Sequence, residues 1–252
     1  MENDDAPVGR VLSRREVLTL FGIGGAGLLG VRALNAEAIA AAPRTAPGWL
    51  PACVVRPEQM EGPYFVDEKL NRTDIRADPT DGSVRQGTPL DVELRLTKVV
   101  AGNCMPLVGA TVDLWQCDAV GVYSDVVDFQ GKFDTRGKKF LRGLQVSDAT
   151  GLVRFHTIYP GWYEGRAVHL HVKVRTPVEG GKHHDFTSQL YFDEAHTEAV
   201  YARAPYSAKR TGWLRNAQDD IFRSGGTSLL LDLSRKGNGY VGKFDLGVDL
   251  TA

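Results

Sequence analysis

Two histidines one residue apart, His169 and His171, sit in the apolar, β-branched run "AVHLHVKV". In a strand, alternate side chains share a face, so both imidazoles point the same way with Cβ atoms about 7 Å apart. Val168, Leu170 and Val172 then fill the opposite face. Two imidazoles at that reach can converge on one ion, and His is the commonest metal ligand. The competing reading is a pair of hydrogen-bonded structural histidines. No Cys-x-x-Cys lies nearby, as a structural zinc site would need. No acidic residue alternates with the pair, as the two-His, one-carboxylate site of ferrous oxygenases would require. What lies nearby is tyrosine: Tyr159 and Tyr163 in "YPGWYEG", and Tyr123 in "CDAVGVYSD". A free phenol titrates near a pKa of about 10, and a coordinated cation lowers such values by several units. A phenolate is a hard donor that favours ferric over ferrous iron. Two neutral imidazoles with two phenolates would make a near-neutral ferric site. Any single tyrosine is otherwise a half-buried ring with its hydroxyl at the surface.

Strands must hold such a pair, and the pattern supplies them. Alternation of apolar and polar residues, with Gly, Asp, Asn and Pro turns between, predicts strands over 90–99, 109–117, 152–158, 168–174, 187–192, 228–234 and 240–248. One short helix is expected over 193–203. Many short strands with frequent turn signals predict an all-β chain folded as a β-sandwich over 86–252. Residues 43–85, rich in Pro, Asp, Arg and Gly with no clean period, read as an N-terminal arm. Residues 124–139 read as a long loop, of the length that usually carries function.

Of the 252 residues, 42% are hydrophobic and 24% charged, so a sizeable core is expected. The formal net charge is −1, without a dense run of Lys or Arg, which points away from nucleic acid and anionic membranes as partners. The first 42 residues are a different kind of text. Arg14 and Arg15 precede a Gly-rich apolar stretch of 14 residues, Leu18 to Val31. That is short of the roughly 18–20 needed to span a bilayer. The small residues of "NAEAIAAAPR" follow. The whole resembles a twin-arginine (Tat) export signal, cleaved near Ala42, giving an exported protein with no membrane span after cleavage. Three cysteines remain: Cys53, Cys104 and Cys117. If the strand between Cys104 and Cys117 is extended, its ends lie about 25–30 Å apart, while a disulfide needs Cα atoms within about 7 Å. Any disulfide should therefore include Cys53.

"EGPYF", "LNRTDIR", "GATVDLWQCDAVGVYSD", "FLRGLQVSDATGLVRFHTIYPGWYEGRAVHLHVKV" and "SQLYFDE" occur in this order across residues 53–195. Together they resemble the intradiol ring-cleavage dioxygenases, the catechol and protocatechuate dioxygenase superfamily. The resemblance implies an Ig-like or prealbumin-like β-sandwich with long active-site loops. It implies one non-haem Fe(III) per chain, bound by Tyr123, Tyr163, His169 and His171, and O2-dependent cleavage of a catechol between its hydroxyls to a cis,cis-muconate-type product. Arg166 matches the family's active-site arginine, and Gln189 a glutamine lining the site. Tyr163 is the ligand expected to leave, on the turn between Gly161 and Gly165, and Arg166 would otherwise pair with Glu164. The expected substrate pocket is lined by residues 63–64, 75–76 and 120–125. His156, His183, His184 and His196 read as structural or exposed. The chain lacks the helical dimerisation domain of catechol 1,2-dioxygenases and looks more like compact exported members, so neither substrate nor oligomeric state carries over. Two rival classes are a transthyretin-like or Ig-like binding module without chemistry and a zinc hydrolase using His169 and His171.

Overall fold

Among the described residues, nine strands form two sheets. The computed structural model describes residues 55–100, 103–176, 183–209 and 211–249. The export signal, the first part of the expected arm and Cys53 lie outside the described residues. In chain order the strands are β1 (Pro89–Val100), β2 (Asn103–Pro106), β3 (Thr111–Trp115), β4 (Arg142–Val146), β5 (Leu152–Ile158), β6 (His169–Arg175), β7 (Asp185–Tyr191), β8 (Asp232–Lys236) and β9 (Gly239–Asp249). One sheet runs β2-β1-β9-β8, with β5 beside the first half of β1; the other runs β4-β3-β6-β7.

Period-two patterning explains where the core sits. Leu90, Val92, Leu94 and Leu96 of β1 are all buried, as are Val153 and Phe155 of β5 and Phe244, Leu246 and Val248 of β9. They form one cluster with Val112 and Leu114 of β3 and Leu170, Val172 and Val174 of β6. The two sheets therefore share a core. The alternate residues of β6, His169, His171, Lys173 and Arg175, face away from it. Burial of these two histidines comes instead from a second, smaller cluster containing Tyr64, Trp115, Cys117 and Tyr123.

Several expectations needed correction. The stretch 228–234 is not one strand: a 3-10 turn occupies Gly226–Leu229, and β8 starts at Asp232. Gly225, at φ +100, turns the chain there, and Leu229 is spent on the core. Strands β2 and β4 have no clear pattern in sequence. In β4, Arg142 and Gly143 are buried at positions where alternation would demand one polar, exposed residue. The segment 70–72 covers them, pairing Asn71 with Leu144 and placing the Arg72 guanidinium on the carbonyls of Ala77, Lys139 and Arg142. The loop 124–139 has structure of its own. Val127 bridges Asp134, and the Asp128 carboxylate accepts from the amides of Gln130 and Lys132. The expected helix is α1 (Glu194–Tyr201), capped by Asp193, which accepts from the Ala195 amide at 2.8 Å. A second, four-residue helix, α2 (Asp220–Arg223), was not anticipated.

Cys104 is disulfide-bonded and Cys117 is a free buried thiol, so these two are not joined to each other; the expected partner, Cys53, lies outside the described residues. Cys104 is on an edge strand of the sheet that does not carry the histidines. Cys104→Ser should lower unfolding stability by about 2–4 kcal/mol in a urea titration, while leaving metal content unchanged. Loss of metal with the fold intact would tie the disulfide to the site.

Candidate active site

Strand register sets the geometry. Trp115, His171 and Gln189 are aligned across β3, β6 and β7, and His169 is aligned with Tyr191. Trp115 stacks on the His171 ring with centroids 4.8 Å apart and an 8° interplanar angle. Gly62, at φ +78, also comes so close that a Cβ would lie 3.2 Å from His171 Cε1. His171 is thus confined by an indole and a glycine. His169 is fixed by its other nitrogen. Nδ1 lies 2.6 Å from the Ala167 carbonyl, which can only accept, so the proton is on Nδ1 and Nε2 presents a lone pair.

Two turns bring in the tyrosines. The Asp118 carboxylate accepts from the amides of Val120 and Val122, and Gly121 adopts φ +92, ending the turn at Tyr123. Behind it, buried Arg142 donates to the Ser124 carbonyl at 2.6 Å and holds the backbone beside Tyr123. The turn bearing Tyr163 is seated against the first: the Gly161 amide donates to the Asp118 carbonyl at 3.0 Å, and a Cβ on Gly161 would meet that oxygen at 2.4 Å.

The result is four polar atoms in a chain of contacts. Tyr163 Oη lies 3.2 Å from His169 Nε2, which lies 3.0 Å from His171 Nε2, which lies 3.1 Å from Tyr123 Oη. His171 Nδ1 is buried without a hydrogen-bond partner. Burial, then the Arg166 charge, pushes His169 down to about 3; burial, then the His169 and Arg166 charges, hold His171 well below its usual range. Both imidazoles are neutral near pH 7. Burial lifts Tyr163 to about 12, against the opposing Arg166 charge, and lifts Tyr123 well above its usual value. The two phenols differ in access. Tyr123 is fully buried, whereas Tyr163 is half-buried and lines an open cleft of about 330 Å³.

Arg166 is held beside this cluster. Its Nε donates to Asp219 at 3.1 Å, its Nη2 to Gln189 and, at 3.3 Å, to Tyr191, and its Nη1 is 3.5 Å from Tyr163 Oη. Gln189 is itself fixed through Nε2 to the Met60 carbonyl at 3.0 Å. The expected alternative partner, Glu164, pairs with Lys132 at 2.6 Å instead. Asp219 also accepts from the amides of Ala167, Ile221 and Phe222, capping α2.

The structure therefore brings together all six residues singled out in sequence: Tyr123, Tyr163, Arg166, His169, His171 and Gln189. It leaves Tyr159 out, in the main core with its hydroxyl 2.7 Å from Thr197. Of the expected pocket walls, Tyr64 and residues 120–122 line the cleft. Ile75 does not, because it is a fully buried core residue, and Arg76 is tied to Asp74. Sequence reasoning missed Asp219, Trp115, Tyr191 and the role of Tyr64. Tyr64 stacks on Tyr123 at 4.6 Å and donates to Asp128 at 2.6 Å. Tyr191 was open to detection, since it lies two residues from Gln189 on β7.

Comparison with known proteins bears on the family and the fold. The Dioxygenase_C family, described as dioxygenase, matches residues 60–211. A solved intradiol ring-cleavage dioxygenase from Tetranychus urticae is 30% identical, covering 79% of this chain and 96% of that one with a TM-score of 0.67. The dioxygenase domain of a dioxygenase–carbohydrate-binding fusion from Streptomyces sp. SirexAA-E is 31% identical, covering 79% and 100%, with a TM-score of 0.57. A catechol 1,2-dioxygenase of Candida albicans is 29% identical over 165 residues. The chain spans about half the length of that curated relative, 49%, and the match takes in 56% of this chain. A match over more than half of the sequence, joined to a relative matched over nearly its whole length, places the chain in the Dioxygenase_C family and, within it, among the intradiol ring-cleavage dioxygenases.

Proposed function

We propose that this protein cleaves a catechol-type aromatic between its two hydroxyls with O2, giving a cis,cis-muconate-type product, and that Tyr123, Tyr163, His169 and His171 hold one non-haem ferric ion. The observation that carries this is the convergence of two neutral imidazoles and two phenols at 3.0–3.2 Å separations. A separation of about 3 Å suits two nitrogens that each sit about 2 Å from one ion. Crowded donors without a cation of their own among them fit a hard trivalent ion, whose charge would take the protons off both phenols. Among the described residues, no three His, Cys, Asp or Glu side chains gather at one point, so a zinc hydrolase has less support than a ferric site completed by phenolates.

When bound, ferric iron would withdraw electron density from a chelated catecholate and open its ring to O2. The protein's own groups do the rest. Tyr163 faces the cleft, and its oxygen is placed to turn toward substrate and take one catechol proton. Tyr123, enclosed by Tyr64 and the 124–139 loop, stays in place. Arg166 cannot lose its charge and, with Nη1 3.5 Å from Tyr163 Oη, would stabilise negative charge growing on a ring bound there. Gln189 and Asp219 are positioning residues that hold the guanidinium in that orientation.

Tyr163→Phe should keep most of the iron and some visible colour but slow turnover at least tenfold, because the departing base is gone. Tyr123→Phe should lose both iron and colour. Equal behaviour of the two variants in iron analysis and absorption spectra would remove the division of labour. The reaction itself is tested by oxygen uptake with the iron-loaded protein on catechol, 4-methylcatechol, hydroxyquinol and protocatechuate. One O2 consumed per ring opened is expected on at least one. A colourless iron-loaded protein, inert on all four, would favour a binding module.

Export by the Tat route is also proposed, from Arg14 and Arg15 ahead of the Gly-rich apolar stretch. Replacing both with Lys should trap the precursor in the cytoplasm; unchanged export in a cell-fractionation assay would remove that reading.

A further inference from the structure

Outside the four-donor cluster, the cleft against Tyr163 has walls that ring cleavage alone does not use. One wall is apolar and exposed. Phe129 is 68% exposed and Val120 41%, and Phe129 lies over Tyr64 with centroids 6.1 Å apart and 25° between planes. A large aromatic left this bare at the mouth of a cleft is the kind of surface that ligands cover. The other wall is cationic. Lys209 is half-buried over the Trp162 ring, its Nζ 4.2 Å from the centroid. It donates to the carbonyls of Val120 and Trp162 at 3.1 and 2.9 Å, leaving one N–H uncommitted.

Charge bookkeeping around the cleft singles out that ammonium. Lys132 is paired with Glu164. The Asp128 carboxylate is already occupied by the Tyr64 hydroxyl and two backbone amides. Among the described residues no carboxylate lies within 4.0 Å of Lys209 Nζ. Gly121 keeps this place open, for a Cβ there would come within 2.8 Å of Nζ and 2.2 Å of the Trp162 carbonyl. Tyr163 and Lys209 line the same cleft, so a ligand seated at Tyr163 can extend past the aromatic wall toward the ammonium.

We propose that the cleft recognises a catechol carrying an apolar arm that ends in a carboxylate, the arm lying along Phe129 and Trp162 and the carboxylate meeting Lys209. This rests on the ring-cleavage reading and narrows its substrate class. The contact adds a charge-assisted hydrogen bond in a partly desolvated place, which is worth roughly tenfold in specificity.

The test compares the iron-loaded full chain on catechol, dihydrocaffeate and the methyl ester of dihydrocaffeate, which keeps the arm and removes the charge. Wild type should favour the acid over the ester about tenfold in kcat/KM. Lys209→Gln should bring that ratio close to one, and Lys209→Arg should retain it, separating charge from folding. A wild-type ratio near one, with catechol turned over, would overturn this proposal and leave ring cleavage standing. Inertness toward all three compounds would count against ring cleavage instead, and calorimetric binding would then decide the recognition claim. Tighter binding of acid than ester, lost in Lys209→Gln and kept in Lys209→Arg, supports it; equal binding of acid and ester overturns it.

Discussion

His171→Ala should leave a folded protein that holds little iron, with affinity down by more than about 100-fold. Loss of an outer partner of a metal ligand already costs about 10–100-fold, and a directly bound imidazole contributes more than its supports do. The residue has no substitute nearby. Its ring packs against Trp115 and Gly62, and its Nε2 is the atom that touches both His169 Nε2 and Tyr123 Oη. A methyl group offers no lone pair and leaves a cavity that the indole cannot close. The main core lies on the other face of β6, so stability should fall by no more than the few kcal/mol typical of a large-to-small change. Iron analysis beside a urea titration separates the two effects. Full iron content in a folded variant would contradict the ligand assignment.

Arg166→Ala should behave in the opposite way, keeping iron and colour and losing turnover. The guanidinium makes no contact shorter than 3.5 Å with the four donors, and its other bonds run to Asp219, Gln189 and Tyr191. Its side chain is only 13% exposed, so its charge acts with little screening. Removing one preorganised donor from such a place costs about 10²–10³ in kcat. Lysine should not restore the rate. A point charge on a flexible stem cannot reproduce the fork that spans Asp219 and Gln189 at once. Iron content, visible spectrum and single-turnover O2 consumption measured on the same sample distinguish this outcome from a damaged site. Turnover like wild type on every catechol tried would remove the electrostatic role.

The histidine pair was legible because strand periodicity is local: one residue apart means one face, whatever the rest of the fold does. The tyrosines were only half legible. Tyr159 and Tyr163 lie just ahead of the pair in sequence and Tyr123 lies far upstream; the family resemblance singled out Tyr123 and Tyr163, and packing supplies the reason. Tyr159 sits at the end of β5 and falls into the main core, while the seating of Gly161 on Asp118 carries Tyr163 back to the histidines. Asp219 could not be found, because its bond to Arg166 joins positions 53 residues apart through a loop with no periodic signal. β4 was hidden for a related reason. Its buried Arg142 and Gly143 are covered by the segment around Arg72, and tertiary cover of this kind overrides the alternation that marks a half-exposed strand. The mistaken pocket wall at Ile75 came from the same blindness to which face of an irregular segment turns inward.

Ring opening with labelled oxygen tests the central claim most directly. The iron-loaded protein should convert the catechol that it turns over best under ¹⁸O2 into a dicarboxylic acid whose mass shows both labelled atoms, with the ring broken between the two hydroxyl-bearing carbons. An aldehyde-acid, broken beside the hydroxyls, or a product carrying no label, would contradict it.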